Sequence, residues 1–379
     1  MKFLHISDLH LGKYLNQVSL IQDQKYALDQ IIEIIKNEKI ECLFISGDIY
    51  DRQIPNAEAV SLFNDFLEQI VKGLRIKTFV ITGNHDSSER LAFASKILED
   101  EGLYIVTYPT TPITKKIVYD EYGKINIYML PYSSNQSLVS KGIKNYEEMI
   151  KYYLDNSDID YEQRNILLTH HTVLYNNKVI RSDSESIINI GGLDMINANL
   201  FSKFDYVALG HLHIEQKVGF DHIRYSGSLL KYSESEANDN KKVIIGTLKE
   251  KNNLTFFYIN IPYLHNLKVI KGDILELLEN ITEIDEDYVY IILTNNILIP
   301  NAMQRLKVKY PNALSLKYEF IESFSPSEET ARSSDFHQKT YLDQFKEFYK
   351  AISNKELDAS SSLLLEETIK KVGEKNETN

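Results

Sequence analysis

Three short apolar runs, each followed by a stretch with helical periodicity, limit what this chain can fold into more than any other feature. In chain order the runs cover residues 2–7, 42–45 and 76–82, and the periodic stretches cover residues 18–39, 56–72 and 89–99. Strands that alternate with helices in this way are typical of an α/β core with buried strands. The sequence therefore predicts an α/β fold with a layered sheet core flanked by helices.

The rest of the chain divides into a continuation of this core and three shorter segments. Further strands are predicted at residues 124–130, 165–169, 205–209, 218–225, 242–248 and 255–261. The pattern starts again near residue 264, which predicts a first domain over residues 1–263 and a smaller α+β domain over residues 264–320. Residues 321–338, rich in Ser, Glu and Thr, predict a linker, and residues 339–373 predict two amphipathic helices.

Composition narrows the class of protein and its compartment. No apolar run in the chain approaches the ~20 residues that a membrane helix requires. Cys42 is the single cysteine, so no disulfide can form within the chain, and this fits the reducing cytoplasm, where we expect the protein to act. The formal net charge of −12 disfavours a broad basic groove for nucleic acid.

Polar side chains follow five of the predicted strands at the point where each strand ends. They are Asp8 and His10, Asp48, Asn84 and His85, His170, and His211 and His213. Ligands of an open α/β sheet bind outside the carboxyl ends of its strands, so these side chains can converge on one cleft. Oxygen and imidazole donors without a thiolate suit Mn²⁺, Fe²⁺, Zn²⁺ or Mg²⁺. There are too many donors for one ion, which predicts two ions that share a carboxylate, a known arrangement for in-line displacement at phosphorus.

The residues around these polar groups resemble a known family. The segments concerned are SDLHLGK (7–13), SGDIYDR (46–52), TGNHDSSERL (82–91), ALGHLH (208–213) and YSGSLLKYSESEAN (225–238). They are similar to motifs of the calcineurin-like metallophosphoesterase superfamily and, within it, of the SbcD family. The resemblance covers residues 1–260, and the later segments match only in layout. It implies a metallophosphoesterase-type core, with the smaller domain and the terminal helices added to it.

The resemblance also implies a role for each ligand position. The implied ligand sets are Asp8, His10, Asp48 and His213 for one ion, and Asp48, Asn84, His170 and His211 for the other. Asp48 is common to both sets and would bridge the ions. His170 is preferred to His171 because it directly follows the strand over residues 166–169, where the family places its ligand, and His171 is expected to pack nearby. Mn²⁺ is the first choice of metal, with Mg²⁺, Fe²⁺ and Zn²⁺ as alternatives.

Three further residues are implied to serve the reaction. His85 would face the scissile phosphate as a general acid or an electrostatic stabiliser. Asp51 would orient His85, as carboxylates do behind histidines at metal sites. Arg52 would grip a phosphate oxygen, with an exposed ion pair as an equal alternative. Asp86 is expected to hold a turn and to pair with Arg90.

The remaining histidines and the paired lysines are expected to have structural or solvated roles. The histidines are His5, His222 and His265, and the lysine pairs are Lys115-Lys116 and Lys241-Lys242.

In function, the resemblance implies a DNA nuclease that hydrolyses phosphodiester bonds with two metal ions. It implies 3′→5′ exonuclease activity on duplex ends and endonuclease activity on single strands, in DNA repair and recombination. The implied assembly is a homodimer bound to two copies of the SMC-like ATPase SbcC, and the chain has no GxxxxGK[ST] motif of its own. Two alternatives stay open: a stand-alone phosphodiesterase for small phosphoesters, and a non-catalytic binding subunit.

Two surfaces are expected to bind other chains. The resemblance places the self-contact on helices beside the active site, over residues 56–72 and 89–100, with Phe63, Leu67, Ile97 and Leu98 as candidates. Residues 339–373 are expected to dock on the coiled coil of SbcC, with Leu342, Phe345, Phe348 and Tyr349 as anchors. The alternative for this segment is a helical hairpin that packs on its own chain.

Overall fold

A computed structural model gives the fold of the chain. It describes residues 1–133, 142–176, 179–185, 195–279, 283–319, 340, 342–343, 345–346, 349–350 and 356–376. The predicted linker over residues 321–338 and the predicted anchor Phe348 lie outside the described residues. Contacts divide the chain into two compact units, Met1–Lys268 and Val269–Asn379.

The elements are numbered in chain order. The strands are β1 (Lys2–Ile6), β2 (Tyr14–Leu15), β3 (Val18–Ser19), β4 (Cys42–Ser46), β5 (Lys77–Ile81), β6 (Leu103–Val106), β7 (Thr114–Asp120), β8 (Gly123–Leu130), β9 (Arg164–Thr169), β10 (Val173–Leu174), β11 (Ile196–Asn197), β12 (Tyr206–Leu209), β13 (Gln216–Val218), β14 (Phe220–Tyr225), β15 (Lys242–Leu248), β16 (Leu254–Asn260), β17 (Leu267–Gly272), β18 (Tyr288–Leu293) and β19 (Ala313–Tyr318). The α-helices are α1 (Ile21–Glu38), α2 (Ala57–Leu67), α3 (Ser88–Leu91), α4 (Ser95–Leu98), α5 (Tyr146–Asp155), α6 (Ile274–Glu279), α7 (Ala302–Leu306) and α8 (Ala359–Asn376).

Two six-stranded sheets form the first unit. The first sheet has the order β16-β15-β1-β4-β5-β6, and its last four strands are parallel. The second has the order β13-β14-β12-β9-β8-β7, and β14, β12, β9 and β8 are parallel. Because neighbouring parallel strands end at the same edge, each sheet presents a row of strand carboxyl ends.

The two sheets pack face to face over a shared apolar core. Phe3, Phe44 and Phe79 from the first sheet join Ile127 and Ile166 from the second in one buried cluster. Aromatic contacts run through it, with the Phe3 and Phe44 ring centroids 5.0 Å apart. This packing holds the two rows of strand ends in a fixed relation.

Helices flank the sheets, as predicted. Tyr146, Met149 and Ile150 of α5 pack in a second cluster with residues on the other face of the second sheet. Helix α1 buries Ala27, Leu28, Ile31, Ile32 and Ile35, which is the helical spacing read from the sequence. Helix α2 begins after Asn56, whose side chain caps it by accepting from the Ala59 N–H at 2.8 Å. The predicted α/β fold with a layered core is confirmed.

Two predicted elements are interrupted in the structure. The single helix predicted over residues 89–99 is wrong, since Ala94 has a φ of 59° between α3 and α4. A left-handed residue cannot continue a right-handed helix. The strand predicted over residues 218–225 is present as β14 but begins later, at Phe220. Gly219, at a φ of 71°, turns the chain between the antiparallel strands β13 and β14.

The second unit is a small α+β structure. Its three strands lie in the order β17-β18-β19. Ile274 and Leu277 of α6 and Leu306 of α7 pack with Val289 and Ile291 of the sheet in one cluster. Within the described residues no helix is both long and apolar enough to cross a membrane.

Candidate metal centre

All of the predicted ligands converge at the carboxyl ends of five parallel strands. They follow β1, β4 and β5 of the first sheet and β9 and β12 of the second. The ligands that come together are Asp8, His10, Asp48, Asn84, His170, His211 and His213. Most of these side chains are buried, and the site lies between the two rows of strand ends.

Asp48 lies between two groups of donors. Its Oδ2 is 3.6 Å from His10 Nε2 and 3.4 Å from His170 Nε2. Its Oδ1 accepts from the backbone N–H of His85 at 2.9 Å. One carboxylate oxygen therefore anchors the loop after β5, while the other faces imidazoles on both sides.

The first donor group contains His10, His213 and Asp8. The Nε2 atoms of His10 and His213 are 3.1 Å apart, and a carboxylate oxygen of Asp8 lies within 4.8 Å of both rings' donor atoms. Both oxygens of Asp8 accept from the His211 backbone N–H at 3.0 Å, and Ser7 also donates to this carboxylate. Asp8 is thus fixed by contacts from the chain beside the site.

The second donor group centres on Asn84. Its Oδ1 is 3.2 Å from His170 Nε2 and 3.1 Å from His211 Nδ1. His170 Nδ1 donates to the Ser46 carbonyl oxygen at 2.7 Å, which leaves Nε2 as its ligand atom. Such a fixed tautomer is typical of metal-ligating histidines.

Four of the ligands have a left-handed backbone conformation. Asp8, His10, Asp48 and His211 have φ values of 53°, 44°, 50° and 105°. Non-glycine residues rarely adopt positive φ, and each such position costs about 1–3 kcal/mol. The surrounding fold therefore stabilises a costly backbone conformation at four of the seven ligands.

Three glycines allow the strand ends to approach one another. A Cβ on Gly47 would lie 2.3 Å from His170 Nδ1, one on Gly83 would lie 2.1 Å from Asp48 Oδ1, and one on Gly210 would lie 1.9 Å from the Ser46 oxygen. Sequence reasoning did not assign these glycines a role. The signal was available, because each directly precedes a ligand, in Gly47-Asp48, Gly83-Asn84 and Gly210-His211.

The charges in the site favour a cation. Burial alone would raise the pKa of Asp48, but the imidazole of His170 and its hydrogen bond hold that pKa well below its ordinary value. Burial would lower the pKa of His170, yet the charges of Asp48 and Asp8 raise it to about 9. Burial lowers the pKa of His211 to about 3, so this ring is neutral and able to bind metal.

The donor set fits divalent metal ions. It combines carboxylate, amide and imidazole donors, and the one cysteine, Cys42, lies in the buried strand β4. Asp8, Asp48 and His170 form a second compact group whose ligand atoms lie within 4.8 Å of one another. The structure thus brings both predicted ligand sets together around Asp48.

His85 stands beside the first donor group and contacts Asp51, the residue predicted to orient it. Its Nδ1 donates to the backbone oxygen of Asp51 at 2.9 Å, and its ring centroid is 4.8 Å from that of His10. The Asp51 carboxylate accepts from Lys13 at 2.7 Å and lies 3.7 Å from His10 Nδ1. The orienting group seen for His85 is therefore a backbone carbonyl, while the Asp51 side chain holds Lys13 near the site.

Arg52 and Asp86 both lie close to the ligand loops. Arg52 is 75% exposed, and its Nε lies 3.6 Å from Asp51 Oδ2 at the rim of the site. Asp86 accepts from the backbone N–H groups of Gly83, Ile49 and Tyr50 rather than pairing with Arg90, so it holds the loops that carry Asn84 and Asp48.

Lys241 differs from its predicted role, whereas His171 and His5 have the structural roles expected of them. Lys241 is not solvated surface, since its side chain is 3% exposed and its Nζ lies 2.6 Å from Glu236 Oε2. His171 packs beside the site as expected, buried with its Nδ1 2.9 Å from Thr169 Oγ1. His5 lies in the core, 2.9 Å from the Tyr206 hydroxyl.

Comparison with known proteins gives matches along most of the chain. The calcineurin-like phosphoesterase family matches residues 1–215, and the type 5 capsule protein repressor C-terminal domain matches residues 264–352. The D subunit of the nuclease SbcCD from Staphylococcus saprophyticus is 32% identical over 375 residues, with 97% of each chain covered. Its counterpart from Staphylococcus epidermidis is 34% identical over 336 residues, covering 86% of this chain and 88% of the relative. A dimetal phosphatase from Danio rerio, with a TM-score of 0.39 and 12% identity over 69% of this chain and 99% of its own, is too distant to add to these matches.

The fold and the site together define a calcineurin-like phosphoesterase. Within that class, the chain belongs to the SbcD family, that of the D subunit of the nuclease SbcCD, whose members it matches along most of its length. The resemblance read from the motifs is therefore confirmed at the level of the family.

Proposed function

We propose that this chain is a metal-dependent DNA nuclease, the hydrolytic subunit of an SbcCD-type complex. The observation that carries the proposal is the single Asp48 oxygen that lies 3.6 Å from His10 Nε2 and 3.4 Å from His170 Nε2. A shared carboxylate between two donor groups suits two-metal hydrolysis of phosphodiesters. In detail, we propose 3′→5′ exonuclease activity on duplex ends and endonuclease activity on single strands, in DNA repair and recombination.

The residues divide into metal-binding and substrate-facing groups. Two divalent ions, Mn²⁺ in preference to Mg²⁺, Fe²⁺ or Zn²⁺, would neutralise phosphate charge and activate water. Asp8, His10, Asp48 and His213 would hold one, and Asp48, Asn84, His170 and His211 the other. His85 donates from Nδ1 to Asp51 O, so Nε2 is the atom through which it would exchange a proton with the substrate. Arg52 would grip a phosphate oxygen, and its exposed contact with Asp51 Oδ2 at 3.6 Å keeps the ion pair as the alternative.

The acidic chain needs help to bind a polyanion. Its formal charge is −12, and two bound divalent ions would offset four units of it at the site. We therefore propose that an SbcC-type ATPase supplies many of the contacts to the DNA backbone. In this proposal the chain forms a homodimer, and the dimer and the ATPase act together in the cytoplasm. Support for this partner comes from the name of the relatives, which describes one subunit of a larger nuclease, SbcCD.

A docking role for residues 339–373 belongs to the same proposal. Leu363 and Leu364 of α8 and Phe345 are exposed apolar side chains. Apolar helical surface of this kind fits a groove or a coiled coil on another protein. The alternative remains a hairpin that packs on its own chain.

The experiment is a cleavage assay of the purified chain, freed of metal and then supplied with Mn²⁺, Mg²⁺ or Zn²⁺. Substrates are a duplex labelled at the 3′ or the 5′ end, a single-stranded circle and a small chromogenic phosphodiester. We expect metal-dependent release of nucleotides from 3′ ends and cleavage of the circle. Turnover of the small diester with no cleavage of DNA, tested with and without the ATPase, would favour the small-phosphoester enzyme. No turnover of any substrate would favour a binding subunit.

A further inference from the structure

The ligand His213 is held on the side away from the metal site by a chain of buried polar groups. Its Nδ1 is 2.6 Å from Ser184 Oγ, and Ser184 Oγ also bonds to Glu236 Oε1. Glu236 is completely buried, and Lys241 Nζ lies 2.6 Å from its Oε2. Three residues from two distant segments of the chain therefore stand behind one imidazole.

The direction of these hydrogen bonds follows from the chemistry of each group. Glu236, paired with Lys241, is a carboxylate that can only accept, so the Ser184 hydroxyl donates to it. The oxygen of Ser184 then accepts the Nδ1–H of His213. This arrangement fixes the tautomer of His213 and leaves Nε2, which lies 3.1 Å from His10 Nε2, as its ligand atom.

The segments that carry Ser184 and Lys241 also fix the backbone of His213. Lys241 Nζ donates to the His213 carbonyl oxygen at 2.8 Å. Glu185, next to Ser184, accepts from the His213 N–H at 2.8 Å. The ring and both backbone polar groups of His213 are thus bound by the segments that carry Ser184 and Lys241. By contrast, His170 is oriented by a strand carbonyl, that of Ser46.

We propose that Ser184, Glu236 and Lys241 form a positioning relay that fixes the ring of His213. By fixing this ring, the relay sets the affinity with which the first donor group binds its metal ion. The proposal rests on the two-metal site of the proposed function. Partners behind a ligand typically change metal affinity by about 10–100-fold when they are removed. None of the three residues was assigned to the site from the sequence, and Lys241 was expected to be solvated.

The test is calorimetric titration of metal-free protein with Mn²⁺, for the wild type and three variants. Ser184→Ala removes the acceptor for His213 Nδ1, and Ser184→Thr restores it. Ser233→Ala is the matched control, because Ser233 Oγ donates to the same Glu236 oxygen at 2.9 Å without being a partner of the His213 ring in this relay. Thermal unfolding of each metal-free variant checks that the fold is intact.

We expect Ser184→Ala to weaken one of two Mn²⁺ sites by about 10–100-fold and the other by less than about threefold. Ser184→Thr should recover most of the loss, and Ser233→Ala should bind as the wild type does. Two unchanged sites in Ser184→Ala, or an equal loss in Ser233→Ala, would overturn the relay. A wild type that binds fewer than two ions would instead contradict the proposed function.

Discussion

Asp48 divides its two oxygens between structure and function. Oδ1 accepts from the His85 backbone N–H, so the loop after β5 is tied to the loop after β4. Oδ2 faces His10 and His170, one from each donor group. The residue that would bridge the ions therefore also positions His85. Substitutions at Asp48 should for this reason affect metal binding first and His85 second.

At the residue scale, His85→Ala tests the separation of ligand and catalytic roles. We expect this variant to bind two ions and to cleave DNA about 10²–10⁴-fold more slowly, because it loses proton transfer and not a donor atom. Metal binding is measured by calorimetry and cleavage with end-labelled duplex. His222→Ala, which changes a histidine outside the site, is the control. Loss of metal in His85→Ala would assign the residue to the ligands instead.

Gly210 tests the close approach of the two sheets. An added Cβ would lie 1.9 Å from the Ser46 oxygen, which accepts from His170 Nδ1. Gly210→Ala should therefore lower the free energy of unfolding by about 1–3 kcal/mol and weaken the ion held by His170. Gly73→Ala is the control, since its nearest neighbour, Glu68 O, is 3.9 Å away. Urea unfolding measures the free energy of unfolding of both variants. Equal stability of the two variants would show that the site tolerates the added methyl group.

At the scale of elements, the strands and their ends could be predicted because a buried strand leaves a simple pattern. The runs that became β1, β4 and β5 are mostly apolar and buried, and the polar ligands follow at the point where each strand ends. The ligands were found from the same boundary. Helix α1 was predicted because its buried positions repeat every three or four residues.

The break in the predicted helix and the residues behind His213 could not be predicted, because they depend on contacts between distant segments. Nothing local marks Ala94 as left-handed, and a helix was expected to pass through it. Likewise, Ser184 and Glu236 are placed behind His213 by the tertiary fold.

The terminal segment gives a prediction at this scale. A chain cut before residue 335 should keep its fold, its two ions and its cleavage of the small diester, because the metal ligands all lie before that point. It should lose binding to the SbcC-type ATPase, since the proposed anchors Leu342, Phe345 and Tyr349 are removed. A pull-down with the purified ATPase measures this. Equal capture of the cut and the full-length chain would leave these helices with a structural role only.

At the scale of the whole molecule, the proposed homodimer would cover exposed apolar residues on α4 and nearby. Ile97 is 74% exposed and Phe93 84%, whereas Phe63 is 3% exposed and cannot serve as a contact. We expect the mass of two chains at micromolar concentration in light scattering, and a single chain for Ile97→Asp. Ile284→Asp, at an exposed isoleucine of the second unit, is the control. A wild type of single-chain mass would contradict the dimer.

The measurement that tests the two-metal site most directly is the number of Mn²⁺ ions bound per chain, with DNA cleavage followed in the same samples. The wild type should bind two ions and cleave DNA only when they are present. Asp48→Asn should weaken both ions, because the charged oxygen between His10 and His170 is lost, and its cleavage should fall with occupancy. Two fully bound ions in Asp48→Asn, or cleavage by the metal-free wild type, would contradict a site bridged by this carboxylate.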